Sequence, residues 1–476
     1  MPKLPWFPIQ KVTLKQSHDR HVFAHLHDPG AGKTAIMIAE FGILYMTGKI
    51  TGVLISAPNK VDTQWINEQI PKHLSTQFKT KATVWDKKPL NKFWGNKNRL
   101  EIIATNIESF RTKKGQQMAN DFIEAHDGNV MMIVDESHEI QNFKSKQTQG
   151  IIETGHKCAY RRIATGTLLG KSLFDAFSQF YFLDPKIFGH QYMSSFKSEF
   201  CIVRFERRFN PVTKKKYGKA FPVIRGNKNE TKFWSLIAPH SYRVDESEIR
   251  GGKKTSNVQK HTYTIDDATK KIYQEVAETA IAEIDNEIVL TIKAGLSLEL
   301  RLSQILCGFL PKQDGTYINI SNQRLVECEK IIRKIKEDGP IIIWVCFIHD
   351  FYKIEKYFKK QGYRVGIYRG TKKHCAEQKE KFLNGDLDLF VVNPMSGGTG
   401  ENFQGDCLHD IYYSYNDNQW KHWQSLFRID RKGAKAKVTH HFLSASKSVN
   451  VKTLQRFNSK KGMGKRSIDD IRKAIA

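Results

Sequence analysis

Short, nearly continuous apolar runs alternate along the chain with helix-like stretches. The runs are "GVLISAP" (52–58), "LEIIAT" (100–105), "NVMMIVDE" (129–136), "RRIATGT" (161–167), "PIIIWVCF" (340–347), "YRVGIYRG" (363–370), "LDLFVVNP" (387–394) and "HDIYYSY" (409–415). Polar or glycine-containing turns follow them. A strand that is apolar at almost every position buries both of its faces, so strands of this kind separated by helices predict parallel sheets covered by helices on both sides. The runs form two clusters, one ending near residue 185 and one beginning near residue 340. The expected fold class is α/β with two lobes.

Between the clusters the pattern changes. "RFERRFNPVTKKKYGKAFPVIRGNKNE" (204–230) crowds cations, Lys214, Lys215 and Lys216 among them, around Asn210-Pro211, with aromatic residues at both ends. It reads as a basic hairpin or loop projecting from the first lobe to touch nucleic acid, or as a solvated surface loop. "RGGKKTSNVQK" (250–260) reads as a linker, and 266–310 as helix-rich, interrupted only by Gly295 and Gly308. The expected divisions are 1–250 for a first lobe that includes the basic insertion, 251–320 for a linker and helical region, and 321–476 for a second lobe with a basic tail.

With 476 residues the chain is too long for a single core. Its net charge of +27 attracts polyanions, nucleic acid first among them. No run approaches the roughly 18 uninterrupted apolar residues of a spanning helix, and "MPKLPWFPIQK" lacks a signal-peptide core. A cytoplasmic protein (host cytoplasm if viral) with no membrane partner is therefore expected. The seven cysteines are scattered, odd in number and never spaced CxxC, which suits reduced thiols better than disulfides or a zinc site.

Candidate chemistry starts at "HVFAHLHDPGAGKTAIMIAE" (21–40). An apolar run is broken by Pro29, Gly30 and Gly32, and a helix begins near Thr34. Strand, glycine loop and helix in this order let backbone N–H groups and a helix N-terminus face one anion. Gly30, Ala31, Gly32, Lys33 and Thr34 would cradle a nucleotide, with Lys33 on the β/γ-phosphates and the Thr34 hydroxyl on Mg²⁺. His27 stands where the full motif has a further glycine. The second half of such a site is "MMIVDESHEIQN" (131–142), where an apolar strand delivers Asp135 and Glu136 at its C-terminal end. Asp135 would hold Mg²⁺, and Glu136 would orient and deprotonate the attacking water. His138 is either part of that site or structural. "TGT" (165–167), "GGTGENFQ" (397–404) and "QSLFRIDRKG" (424–433) follow in order. The spacing of Gln424, Arg428 and Arg431 predicts two guanidiniums on one helix face, suited to a γ-phosphate.

Taken together, these residues resemble superfamily 2 helicases, and among them the Snf2-like DNA translocase branch. The resemblance runs over nearly the whole chain, through "FPIQ", "DPGAGKT", "SAPNKVDTQW", "ATNIESF", "DESH", "ATGTLLGKSLFDAFSQFYFLDPKIFG", "IIIWVCF", "GGTGENFQ" and "QSLFRIDRKGAK". Leu168, where the family usually has proline after "TGT", and His27 depart from the pattern. The chain also looks similar to compact Snf2-like and DEAH-type helicases of tailed bacteriophages, a bare motor with little before Gln10 or after the last motif.

The resemblance implies two RecA-like lobes with parallel sheets flanked by helices, and a basic loop or helical insertion between them. It implies that Gln10 reads adenine with Phe7 on the base, and that Gln424, Arg428 and Arg431 complete an ATP site with Lys33, Thr34, Asp135 and Glu136. Asn59, Lys60, Thr105, Asn106 and Thr399 would grip a DNA strand. ATP and Mg²⁺ are the implied substrate and metal. The implied activity is a nucleic-acid-stimulated ATPase that translocates on duplex or branched DNA and remodels forks or junctions in phage DNA replication, recombination or repair. A strand-separating RNA or DNA helicase, or a remodeler of protein–nucleic acid complexes, is the competing reading. RNA is the less favoured partner, and a monomer is plausible.

Overall fold

The computed structural model describes most of residues 6–454. Outside the described residues lie 1–5, 7, 91–93, 171, 191, 210–215, 246–247, 249–255, 280, 285–286, 292–294, 313–314, 395–402, 404, 416–418, 431–435, 452 and 455–476. Thr399, Arg431, Lys214, Lys215 and Phe7, all singled out above, fall among them. The chain divides into two compact units. The first takes the residues up to Arg204 with Pro222–Lys253, and the second takes Phe205–Phe221 with the residues from Lys254 to Lys465.

The first unit is built on strands β1 (Val22–His25), β2 (Gly52–Ala57), β3 (Thr80–Val84), β4 (Leu100–Asn106), β5 (Val130–Asp135) and β6 (Tyr160–Ala164). With β9 (Ser241–Tyr242) they make one sheet in the order β3-β4-β2-β5-β6-β1-β9, and every neighbouring pair is parallel. β2 and β5 are buried at all positions, the consequence of an apolar run with helices on both sides. Met132 and Val134 of β5 join one hydrophobic cluster while Met131 and Ile133 join the other, so the strand separates two cores.

A two-stranded sheet of β7 (Cys201–Phe209) and β8 (Lys216–Asn227) carries the basic insertion. Its described residues take strand form, as the hairpin reading of 204–230 expected. The second sheet runs β10-β19-β18-β15-β17-β16, again wholly parallel, with β10 (Ser256–Tyr263), β15 (Ile341–Trp344), β16 (Val365–Tyr368), β17 (Leu389–Val392), β18 (His409–Tyr412) and β19 (Val438–Ala445). Two short pairs, β11 (Ile281–Ile284) with β12 (Glu287–Thr291) and β13 (Phe309–Pro311) with β14 (Tyr317–Asn319), lie between β10 and β15 in the chain.

Two readings of the middle segment need correction. Part of the supposed linker is strand β10, paired with β19 from Ser256↔Val438 to Tyr263↔Ala445. An edge strand buries little, so polar residues such as Asn257, Gln259 and Lys260 hide it from an apolar-run criterion. The helix-rich stretch is helices Asp267–Thr279 and Gly295–Leu306 separated by the β11–β12 pair. The β-branched residues of "EIVLT" prefer the pleated form. Among the described residues, no helix is long and apolar enough to cross a membrane.

Candidate nucleotide site at the strand ends

Strand order arranges the candidate chemistry. β4, β2, β5, β6 and β1 lie side by side, so the segments that follow them in the chain as third, second, fourth, fifth and first become neighbours at the carboxyl edge. In open parallel sheets that edge is where ligands bind.

At the end of β1 the loop to helix α2 (Lys33–Met46) turns through Gly30 at φ +87° and Gly32 at φ +78°. Both values lie in the left-handed region that L side chains rarely adopt. Gly32 has a second reason to lack a side chain: a Cβ there would collide with the Gln10 amide nitrogen. Gln10, buried on helix α1 (Pro8–Ser17), is thus held against the glycine loop. The loop is also braced from outside. Leu26 N–H donates to the Tyr242 carbonyl and Asp28 N–H to that of Val244, at 2.9 and 3.0 Å. A Cβ at Gly166 would meet Pro29 Cδ at 2.9 Å, so the turn after β6 packs directly on this loop.

The anchor for α1 is a buried ion network. His25 Nε2 and Arg162 Nε each lie 3.1 Å from Glu40 Oε2, with all three side chains fully buried. Arg162 also donates to the carbonyls of Ser17 and Arg20 at 2.8 Å, tying the end of α1 to the sheet. Burial alone would raise the Glu40 carboxyl, but His25 and Arg162 reverse it and hold it down at about 2. His27, in the position of the motif's missing glycine, is buried and edge-on to both His25 and Tyr242. Burial, then the charges of His25 and Lys33, push its pKa well below the usual value, so it serves the loop as a neutral ring.

Lys33 Nζ donates to the His27 carbonyl at 2.9 Å, which folds the ammonium back over the loop. It lies within electrostatic reach of Asp135, at the end of β5. Asp135 is 7 % exposed; burial first, and then the charge of Glu136, push its carboxyl up to about 6. Its Oδ2 accepts from Trp65 Nε1 at 2.9 Å, and its Oδ1 accepts from the Glu136 N–H at 3.0 Å. Glu136 itself sits at φ 53°, ψ 51°, a left-handed conformation uncommon for a non-glycine residue and concentrated at functional sites.

His138 belongs to the same cluster. Its Nδ1 lies 3.3 Å from Glu136 Oε2 and 3.4 Å from Thr165 Oγ1, and its Nε2 lies 3.6 Å from Glu139 Oε1. Burial disfavours its cationic form, yet the hydrogen bonds to Glu136 and Glu139 outweigh it and raise the pKa. Thr165 in turn donates to the Thr167 carbonyl at 3.0 Å. Ser137 donates to Gln179, which donates to the carbonyls of Leu168 and Asp175. These bonds couple "DESH" to the turn after β6. Trp65 and Gln179 emerge from the structure alone; both stand inside quoted motifs, but nothing in their spacing announces a bond to Asp135 or Ser137.

The donor set fits a nucleotide with its divalent cation. Asp135, desolvated beside Glu136 and lifted to about 6, is a carboxylate whose ionised form a divalent cation would favour. Thr34 Oγ1, at the first turn of α2, and Asp135 are the oxygen ligands available to a hard cation.

The proposed strand-gripping residues lie on the other half of the edge, at the ends of β2 and β4, where Ala57 pairs with Asn106. Asn59 is exposed and Lys60 half-buried, at φ 75°. Thr105 is buried and donates to Ser109 Oγ, and Asn106 Oδ1 caps the next turn by accepting from Ser109 N–H at 2.9 Å. In the second unit, Gln424 and Arg428 are both buried. The helix-face argument for the arginines does not hold: the helix spans Gln419–Leu426, and Arg428 sits in the turn after it, its carbonyl accepting from Phe403 N–H at 3.2 Å. Spacing on a helix says nothing once the helix has ended.

Similarity to known proteins agrees with this arrangement. A curated Arabidopsis thaliana relative, "CHD3-type chromatin-remodeling factor CHR7", is 23% identical over 325 residues. The match covers 64% of this chain but 24% of that protein, so the chain spans about a quarter of its length. An S. cerevisiae Dbp5 variant bound to RNA and ADP BeF3 shares the fold at 10% identity, with a TM-score of 0.51 over 95% of this chain and 86% of that one. A Sulfolobus solfataricus SWI2/SNF2 ATPase core in complex with dsDNA aligns at 19% identity over 97% and 92% of the two chains, with a TM-score of 0.41. The two sheets are accordingly those of RecA-like lobes. The SNF2-related domain matches residues 19–308, more than half of the chain, and the protein belongs to that family.

Proposed function

We propose that the protein is an ATP-driven, Snf2-like DNA translocase of superfamily 2 that moves on duplex DNA and remodels forks or branched junctions. The observation that carries this reading is the convergence of Gln10, Gly32, Lys33, Asp135 and Glu136 at adjoining strand ends, with Lys33 within electrostatic reach of Asp135. Membership of the SNF2-related family and a net charge of +27 support it.

In this reading Gln10 reads the adenine edge, the loop 30–34 and Lys33 hold the phosphates, and Thr34 and Asp135 hold Mg²⁺. The metal would supply positive charge that polarises the terminal phosphate. Glu136 takes the proton of the attacking water, and His138, hydrogen-bonded to it, orients its carboxylate. Gln424, Arg428 and Arg431 keep the ATP-contacting role that the resemblance implies. Asn59, Lys60, Thr105, Asn106 and Thr399, with Lys214, Lys215 and Lys216, are the proposed DNA contacts, and a grip on phosphates explains binding without base preference. A place in bacteriophage DNA replication, recombination or repair belongs to the same proposal.

The test is ATP turnover measured in parallel with single-stranded, duplex and branched DNA and with RNA. Duplex or branched DNA should raise the rate severalfold, at least as well as single strands, and RNA poorly. Strong stimulation by RNA alone would replace this reading with that of a strand-separating helicase.

A further inference from the structure

The β7–β8 pair displays aromatic rings at its surface. Phe205 is 73 % exposed, more than any other large apolar side chain among the described residues, and Tyr217 and Phe221 are 50 % and 42 % exposed. Arg204, Arg207, Lys216 and Lys219 are exposed beside them. From 204 to 221 the sequence holds seven lysines and arginines (204, 207, 208, 214, 215, 216, 219) against one acid, Glu206.

The pleat sorts these side chains. A Cβ on Gly226 would lie 3.3 Å from Ile202 Cδ1, so Ile202 and Gly226 share a face. Alternation along each strand then puts Phe205 and Arg207 of β7 on the opposite face, together with Lys219 and Phe221 of β8. Rings and cations interleave on one surface. Tyr217 lies beyond Gly218, whose φ of +76° interrupts the alternation, at the same end of the pair.

We propose that this face, Phe205, Arg207, Lys219 and Phe221, is a stacking platform for unpaired bases of a nucleic-acid strand. The cations call for a polyanion, and the exposed rings call for a flat apolar partner. An unpaired strand offers phosphates and free base faces together, whereas a duplex hides its base faces in the stack. The platform rests on the translocase reading, which supplies the unpaired strand at a fork or branch, and it assigns this element to the single-stranded arm of that substrate.

The experiment uses the full chain and three double variants, Phe205→Ala/Phe221→Ala, Phe205→Leu/Phe221→Leu and Phe205→Trp/Phe221→Trp. The probes are a fluorescently labelled oligo-dT, an oligo-U of the same length and a blunt duplex, read by anisotropy at fixed salt beside a thermal melt. Both the alanine and the leucine variants should lose about fivefold or more in oligo-dT affinity for each stacked ring, because leucine keeps bulk but offers no π-face. The tryptophan variant should retain or improve it, and blunt-duplex affinity should hold in all three. The oligo-U arm shows whether the strand is read as DNA or as nucleic acid generally. Wild-type oligo-dT affinity in the alanine and leucine variants would overturn the proposal. So would retention by leucine alone, which would mark the face as an apolar contact for protein. An equal loss on blunt duplex would overturn the assignment to unpaired bases. If the wild-type ATPase ignored every DNA while the ring dependence persisted, the translocase reading would fail and the platform would stand.

Discussion

Trp65 Nε1 donates to Asp135 Oδ2 at 2.9 Å, so an indole from the helical segment after β2 holds one oxygen of the candidate metal carboxylate at the end of β5. Trp65 is 1 % exposed and heads a π-helical turn (Trp65–Gln69), a distortion that recurs at functional sites. The bond favours the ionised form of Asp135 against burial and the charge of Glu136. Trp65→Phe should therefore raise the Asp135 pKa above its present value of about 6. The acid limb of the ATPase pH profile should move to higher pH, and more Mg²⁺ should be needed for half-maximal rate. An unmoved acid limb would separate Asp135 from the metal.

Asp135→Asn tests the same carboxyl through stability. Its folded pKa, about 6, stands above the value of roughly 4 expected in the unfolded chain. The folded state thus binds the proton more tightly. The carboxyl favours folding below about pH 4, and that contribution disappears as pH rises through 6. Without nucleotide or metal, Asp135→Asn should melt higher than wild type at pH 7, and the gap should shrink toward pH 4. Turnover should be lost at every pH.

Gly32 and Gln10 make a coupled pair. Gly32→Ala imposes both a left-handed backbone on a β-carbon and a collision with the Gln10 amide, a cost of about 1–3 kcal/mol. Gln10→Ala in the same chain should recover the part due to the collision while the backbone part remains, which a double-mutant cycle by thermal melting resolves. Nucleotide affinity should fall in Gln10→Ala alone. Simple additivity of the two melting shifts would remove the contact from the account.

Lys33→Ala should abolish turnover and leave duplex binding within a fewfold of wild type, because the exposed cations lie elsewhere. Glu136→Gln should bind nucleotide as wild type does while hydrolysis collapses, since glutamine keeps size and hydrogen bonding without the base. Nucleotide binding measured beside turnover separates the two roles. Loss of binding in Glu136→Gln would make that residue a ligand or a structural element.

The buried Glu40 ties His25 and Arg162 together. Glu40→Gln leaves Arg162 without its carboxylate and should destabilise the first unit by about 3–5 kcal/mol. Because the Glu40 pKa is depressed to about 2, its contribution is present above roughly pH 4.5 and is lost as pH falls toward 2. Wild type and Glu40→Gln should therefore converge in acid. A variant that melts like wild type at neutral pH would show that the backbone bonds of Arg162 suffice.

Local chemistry was readable from residues alone. Apolar runs at 52–57, 100–105 and 130–135 demanded strands buried on both faces, and a glycine loop before Lys33 and Thr34 demanded a strand-to-helix turn, because periodicity and backbone freedom act over a few neighbours. Asp135 and Glu136 were placed at a strand end for the same reason. Strand β10 escaped because an edge strand needs no apolar run, and β19 because "VTHHFLSA" buries two histidines among its apolar residues. Arg428 was misplaced because the end of its helix depends on what packs there. Three relations required the folded chain: Gln10 against Gly32, Trp65 on Asp135, and the strand order that sets β5, β6 and β1 side by side. Each joins residues far apart in the chain. A hydrophobic pattern states which faces must be buried and leaves open which neighbour buries them; the tertiary structure makes that choice, and with it the site.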